Sequence, residues 1–239
     1  MHPDGTGEST RRARAASFGA AADRYERARP SYSVEAVRWA LPPGARRVLD
    51  LGAGTGKLTA VLLGLGLDVV AVEPSAPMRA HVPGQAEVLA GTAEQVPLPD
   101  ADVDAVLVGQ AFHWFEPTAA LAEVARVLRP GGTLGLLWNV RDESAPWVRE
   151  VWAEIESGDD LVGQPFAAQS GLGTPVGQHF PYEQQLDADL LVDLAASRSA
   201  LLVMPDARRA QVLERVRRLA PAGSFVLPYV TEVWRSVRA

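Results

Sequence analysis

Between Arg47 and Trp138 the chain alternates short β-branched runs with helix-length segments, and no feature of it limits the possible folds more tightly. The runs 47-RVLDL-51, 67-LDVVAVE-73, 86-AEVLA-90, 102-DVDAVLVG-109 and 133-TLGLLW-138 read as strands, and 57–64, 75–81 and 117–128 read as helices. Strands that are apolar along their whole length are covered on both faces, and parallel neighbours need crossover connections. The alternation therefore predicts βαβ units in an α/β fold, with helices on both sides of a mostly parallel sheet. Within 117–128, Leu121, Val124 and Leu128 fall at helical spacing, and Pro130, Gly131 and Gly132 read as the stop.

The flanks divide the chain further. Residues 1–10 are polar and predict a mobile tail; 11–44 reads as an N-terminal helical cap, with a short helix in 31-SYSVEAVRWALPPG-44. Residues 45–140 form the core of the pattern. Past it, 146–157 reads as a helix, and the glycine- and proline-containing stretch 158–178 is longer than an ordinary connection. With helices expected at about 188–200 and 206–219, the whole of 141–220 reads as a lid or substrate-facing insertion. Residues 221–239 contain 225-FVLPYVTEVWRSV-237, whose alternation predicts a terminal strand completing the sheet, with Pro228 suggesting an edge position or a bulge.

Composition excludes several classes of function. The absence of cysteine removes disulfides, thiolate metal sites and cysteine nucleophiles, and the four histidines lack ligand spacing, so no metal is expected. A net charge of −6 argues against a nucleic-acid partner. The richest apolar run, 58–72, is broken by glycines and Asp68, and the N-terminus has no apolar core, which together predict a cytoplasmic protein without a membrane span. A small molecule is the expected partner, and oligomeric state is left open.

The loop in 47-RVLDLGAGTGKLT-59 narrows the ligand by elimination. A triphosphate-binding loop needs a glycine five positions before its Gly-Lys pair and a hydroxyl after it; here those places hold Leu51 and Leu58. A dinucleotide fingerprint needs a third glycine where this chain has Lys57 or, in the other register, Thr59. What remains is Asp50 at the strand end, suited to an ammonium group, ahead of the minimal side chains Gly52, Ala53, Gly54, Thr55 and Gly56. Glu73 ends the second strand, where an acid accepts both ribose hydroxyls. The following 74-PSAPM-78 offers an apolar side chain to an adenine face, and 91-GTAE-94 offers polar groups to its edge. Together these describe a site for an adenosine bearing an amino-acid tail.

The segments DLGAGTGKLT, VVAVEPSAPM, AGTAEQVPLPDADVDAVLVGQAFHWF and EVARVLRPGGTLGLLWN, which cover residues 47–139, resemble the class I S-adenosylmethionine-dependent methyltransferases. The branch they are most similar to is the small-molecule one, methyltransferase type 11 or 25, with QAFHWF and LLWN closest to the trans-aconitate methyltransferase-like group. The resemblance implies a Rossmann-like three-layer α/β/α sandwich with a seven-stranded, mostly parallel sheet whose last strand is antiparallel. It implies S-adenosyl-L-methionine as cofactor and S-adenosyl-L-homocysteine as product. It further implies that Asp50, Gly52, Ala53, Gly54 and Gly56 hold the methionine part, that Glu73 and Pro74 lie at the ribose, and that Met78, Thr92, Ala93 and Glu94 lie at the adenine. Many members carry Asp where this chain has Thr92, whose hydroxyl is a weaker acceptor. Gln110 would lie beside the sulfonium, and Tyr25 and Arg29 would reach the cofactor from the N-terminal segment.

Methyl transfer is an in-line displacement at an activated carbon, so alignment and exclusion of water are the protein's main tasks. A phenol or alcohol acceptor needs a base, and His113 in 110-QAFHWF-115 is the candidate; Phe112, His113, Trp114 and Trp138 are the expected substrate-pocket residues. The expected reaction is methylation of an oxygen or nitrogen nucleophile on a small metabolite. Binding of the same cofactor for other chemistry or for sensing is the alternative.

Overall fold

The computed structural model describes residues 28–155 and 171–239. Their strands form one seven-stranded sheet: β1 (Arg47–Leu51), β2 (Asp68–Val72), β3 (Glu87–Leu89), β4 (Val103–Gly109), β5 (Leu128–Arg141), β6 (Val176–Leu186) and β7 (Phe225–Val237), in the order β3-β2-β1-β4-β5-β7-β6. Pairing from β3 through β5 is parallel throughout. Against β5, β7 runs the other way, since Gly131 bonds with Arg238 near one end and Asp142 with Pro228 at the other. The mostly parallel sheet is the one expected from the alternation, and its Rossmann-like arrangement with the last strand antiparallel is the one the resemblance implies.

The helices are α1 (Val34–Ala40), α2 (Lys57–Gly64), α3 (Ala76–Arg79), α4 (Pro117–Val127), α5 (Pro146–Ile155), α6 (Ala188–Ala196), α7 (Ser199–Leu202) and α8 (Asp206–Leu219). No helix among the described residues is long and apolar enough to cross a membrane.

One compact unit gathers residues 31–140, 171–182 and 230–239. Its strands send alternate side chains into two separate cores, as a period of two requires. Leu49, Leu51, Val70, Val72, Val106, Val108, Leu134 and Leu136 join Leu121, Val124 and Val127 of α4. Val48, Val69, Ala105, Leu107 and Leu137 join Val37 and Ala40 of α1 and Leu58 and Leu62 of α2. The sheet is thus buried on both faces here, with α1 and α4 serving different faces. α4 begins where Pro117 follows Glu116, whose carboxylate accepts from the Thr118 and Ala119 N–H groups at 3.2 and 2.7 Å.

The other unit gathers residues 28–30, 141–155 and 183–229. α5 buries Val148, Val151, Trp152 and Ile155 on one stripe, and Arg215 of α8 pairs with Glu154 of α5 at 2.6 Å. Trp147 meets Phe225 edge-on at 5.2 Å between ring centres.

Three expectations are corrected. The segment 141–220, read as a lid or helical insertion, contains β6, a strand of the sheet. Its sequence VGQHFPYEQQL alternates, but it is largely exposed and interrupted by Pro181, so apolar periodicity did not reveal it. β7 is internal to the strand order, so Pro228 does not mark an edge. Pro130, Gly131 and Gly132, read as a helix stop, are already part of β5. The expected tail 1–10, the start of the cap at 11–27, and residues 156–170 of the expected helix and long stretch lie outside the described residues.

β5 and α1 approach so closely at Gly135 that an added Cβ would stand 2.6 Å from Leu107 Cδ2 and 2.9 Å from Ala40 Cβ. Gly135→Ala is expected to destabilise the protein by about 1–3 kcal/mol in urea unfolding, because α1 must shift off the sheet to admit one methyl group.

Candidate functional site

The loop after β1 turns away from a sheet whose faces are both occupied, and its backbone donors are taken up locally. Gly52 and Ala53 N–H both donate to the Val72 carbonyl, at 2.8 and 3.1 Å, and Gly56 N–H donates to Ala53 at 2.9 Å. Gly52, at φ +74°, has the segment after β4 against it: a Cβ there would lie 2.9 Å from Ala111 Cβ and 3.1 Å from the Phe115 ring. Gly56, at φ +86°, is pressed by Pro83 Cδ, 2.6 Å from where its Cβ would be. Both positions require glycine for packing alone. Gly54 differs, for nothing stands within 4 Å of its notional Cβ. The middle of the loop is a bare patch of backbone between two packed ends.

Glu73, just past β2, closes this loop. Its Oε2 accepts from Gly54 N–H at 3.0 Å and its Oε1 from Ser75 N–H at 2.8 Å. Burial, to 8% exposure, raises its pKa, against the lowering effect of those two bonds and of the Arg79 charge. Arg79 Nη1 donates to the Glu73 and Pro74 carbonyls, both at 2.7 Å, and so folds the short helix α3 back over the end of β2. A carboxylate has about four acceptor positions. Two are used, and one on each oxygen remains open to a further donor.

Asp50, expected to meet an ammonium group, is buried at the end of β1. It is 1% exposed, and its Oδ2 accepts from the Thr59 hydroxyl at 2.6 Å. Burial pushes its pKa up to about 7, the Thr59 bonds work in the opposite direction, and the Glu73 charge adds to the rise. This bond braces the end of β1 against the first turn of α2.

Of the other expected residues, Met78 is 6% exposed and Ala93 3%, with Ala93 in the same core as Leu49. Thr92 is exposed and forms a bridge with Gln95. Glu94 is exposed, and its Oε1 accepts the Glu116 N–H at 2.8 Å, steadying the start of α4. Trp138, expected to line a substrate pocket, is buried in the core beside Leu134 and Leu136. Arg29 donates to Ser197, from Nε to Oγ at 2.9 Å and from Nη2 to the carbonyl at 3.1 Å. Tyr25 lies outside the described residues.

Gln110 follows β4 with φ +55°. A left-handed backbone costs a non-glycine residue about 1–2 kcal/mol. It is offset by two bonds, from Gln110 N–H to the Leu137 carbonyl at 2.9 Å and from Nε2 to the Asn139 carbonyl at 3.1 Å. Phe112, His113 and Trp114 then form one 3₁₀ turn; His113 is exposed with its ring 4.7 Å from that of Trp114, and Phe112 meets Phe115 edge-on at 5.8 Å. Strain of this kind, at the carboxyl end of a parallel strand, sits where open α/β sheets bind ligands.

Sequence reasoning missed four hydroxyl- or amide-bearing residues. Thr59 holds Asp50, and Asn139 and Thr231 belong to the network beside Gln110. Thr55 is 2% exposed in the glycine loop, and its Oγ1 has no hydrogen-bond partner among the described residues. A buried hydroxyl without a partner is costly unless a ligand supplies one. Thr59 alone carried a usable signal, a hydroxyl in the first helical turn after an acidic strand end.

Comparison with known proteins gives a consistent picture. Residues 49–136 match the family model described as a methyltransferase domain. An uncharacterized methyltransferase of Mycobacterium tuberculosis is 48% identical over 241 residues, spanning 96% of this chain and 99% of that protein. An uncharacterized methyltransferase-like protein of Schizosaccharomyces pombe is 31% identical over 223 residues, 82% of each chain. Among solved structures, a proposed type II methyltransferase from Anaeromyxobacter dehalogenans shares the fold with a TM-score of 0.62 at 23% identity, over 88% of this chain and 97% of that one.

The buried Asp50 makes a pH-dependent contribution. Its pKa is about 7 against an ordinary 3.8, so the folded state holds its proton more tightly than the unfolded state. From this group, stability is fully present below about pH 4 and is lost as pH rises through about 7. Asp50→Asn, which keeps an acceptor for Thr59, is expected to remove that slope and to raise ligand-free stability at pH 8 by roughly 1–4 kcal/mol. Thermal melts of both proteins between pH 5 and 8 check this; an unchanged slope in the variant would locate the titrating group elsewhere.

Proposed function

Because the chain belongs to the class I S-adenosylmethionine-dependent methyltransferases, we propose that it transfers a methyl group from S-adenosyl-L-methionine to an oxygen or nitrogen atom of a small metabolite, releasing S-adenosyl-L-homocysteine. The observation that carries the cofactor part is Glu73, a nearly buried carboxylate with one acceptor position left on each oxygen, next to bare Gly54 backbone. The unpartnered Thr55 hydroxyl in the same loop fits a polar ligand there as well.

When bound, the cofactor supplies a methyl group on positively charged sulfur, so no further activation of the carbon is needed. This chain's residues bind and orient. Glu73 accepts the two ribose hydroxyls, Gly54 lets the methionine part approach the backbone, and Met78, Thr92 and Glu94 stand at the adenine side. Asp50 acts on the loop through Thr59. Gln110 stands at the carboxyl end of β4 near the transfer point, with Phe112 and Trp114 at the acceptor side. A hydroxyl or ammonium acceptor must lose a proton, and the exposed His113 is the group within this segment that takes it. The net charge of −6 supports a small molecule over a nucleic acid as acceptor.

Two measurements test this reading. Calorimetry should show binding of S-adenosylmethionine and S-adenosylhomocysteine, and incubation of the methyl-labelled cofactor with a metabolite extract should yield a labelled small molecule; binding of NAD in place of both would sink the proposal. Glu73→Ala is expected to weaken S-adenosylmethionine binding by about 1–3 kcal/mol, as two buried hydroxyls lose a charged acceptor. His113→Ala should slow labelling roughly a hundredfold while leaving cofactor affinity as it is. A loss of affinity instead would move His113 to the cofactor side.

A further inference from the structure

Asn139, near the end of β5, was not among the residues expected to form the site, yet three of its polar atoms are bonded to three different parts of the chain. Its Nδ2 donates to the Ser31 carbonyl at 2.7 Å, its Oδ1 accepts from the Thr231 hydroxyl of β7 at 2.7 Å, and its own carbonyl accepts from Gln110 Nε2 at 3.1 Å. Thr231 is 0% exposed, and its hydroxyl finds its partner in the half-buried Asn139. The Ser31 backbone is gripped a second time, by the Tyr182 side chain.

The residue after Ser31 reaches the same strand end from the other side. Tyr32 lies over Gly109 so closely that an added Cβ at Gly109 would stand 2.4 Å from the Tyr32 hydroxyl oxygen. Gly109 precedes Gln110, so the contacts close a ring: Gln110 to Asn139, Asn139 to Ser31, Ser31 through the chain to Tyr32, and Tyr32 over Gly109 back to Gln110. The left-handed backbone of Gln110 is held inside this ring. Because the acceptor of Gln110 Nε2 is a main-chain carbonyl, the amide can present only its nitrogen there, which turns Oε1 away from Asn139 as an acceptor.

We infer that Asn139 is a positioning residue for the transfer step: by pinning Ser31 and bonding Gln110 it sets the direction in which the Gln110 amide oxygen points toward the transferring methyl and its positive sulfur. The inference rests on the methyl-transfer reading given above. An amide oxygen aimed at a sulfonium favours the charged cofactor over its neutral product, so the ratio of the two affinities reports the aim, whereas a merely structural role would move both affinities together.

The test uses the full chain and two variants, Asn139→Asp and Thr231→Val. The first keeps the shape but sets a carboxylate oxygen against the Ser31 carbonyl, and the second removes the donor to Oδ1. Calorimetric titrations with S-adenosylmethionine and with S-adenosylhomocysteine should show the affinity ratio falling about threefold or more in Asn139→Asp and by less in Thr231→Val. In ligand-free protein labelled with ¹⁵N, the Gln110 side-chain amide protons should exchange about tenfold faster in Asn139→Asp than in the natural chain. If Asn139→Asp fails to fold, Thr231→Val carries both readouts. A wild-type ratio with wild-type exchange overturns the inference, and so does an equal loss for both nucleosides. Failure of the natural chain to bind either nucleoside overturns the methyl-transfer reading itself, and the exchange rates tell that failure apart from a wrong assignment of Asn139.

Discussion

A sheet buried on both faces cannot leave backbone donors unpaired where its strands end, and the site is built on how this chain meets that requirement. At the end of β1 the N–H groups of Gly52 and Ala53 turn back to Val72 of β2, and the next free one, on Gly54, finds the Glu73 carboxylate. Three successive residues of the glycine loop are therefore attached to the end of β2 and the residue that follows it. Position, rather than flexibility, is what the glycines provide: two of them make room for Ala111, Phe115 and Pro83, and one leaves the backbone uncovered.

Burying two carboxylates within one loop is unfavourable unless each has bonds to its charged form. Glu73 has two backbone donors and nearby Arg79, while Asp50 has Thr59 and the unfavourable presence of Glu73. The less well compensated acid is the deeper one. A cationic tail entering the loop would lower the cost of ionising Asp50 without touching it, which reconciles an acid at the strand end with its complete burial. The left-handed Gln110 repeats this theme in the backbone, since its conformation is tolerated only because neighbouring strands over-determine it.

Much of this was legible in the residues. The five leading strands and α2, α4 and α8 follow from apolar periodicity and helix punctuation, and Glu73 follows from its place one residue past β2. Ligand-facing identity was harder to read. That Asp50 and Trp138 are buried could not be read from their motifs, since the direction of a side chain at a strand end depends on register. Arg29 was assigned by resemblance, and its partner Ser197 lies 168 positions away, a pairing no local pattern encodes. The same holds for Asn139, whose partners Ser31 and Thr231 come from distant parts of the chain. β6 escaped because an exposed strand has no apolar stripe to display.

The order β5-β7-β6 carries a consequence for how the molecule is made. β6 precedes β7 in the chain but does not pair with β5; it joins the sheet only through β7. Until β7 pairs with them, the fourteen residues of β5 present an open row of donors and acceptors, the kind of edge on which strands of other chains add. Covering that edge takes the sheet's most sequence-distant pairing, β5 with β7, a slow event by chain topology. The strand that closes this edge also carries Thr231, so the hydrogen bond that orients Asn139 is completed only when the edge is covered.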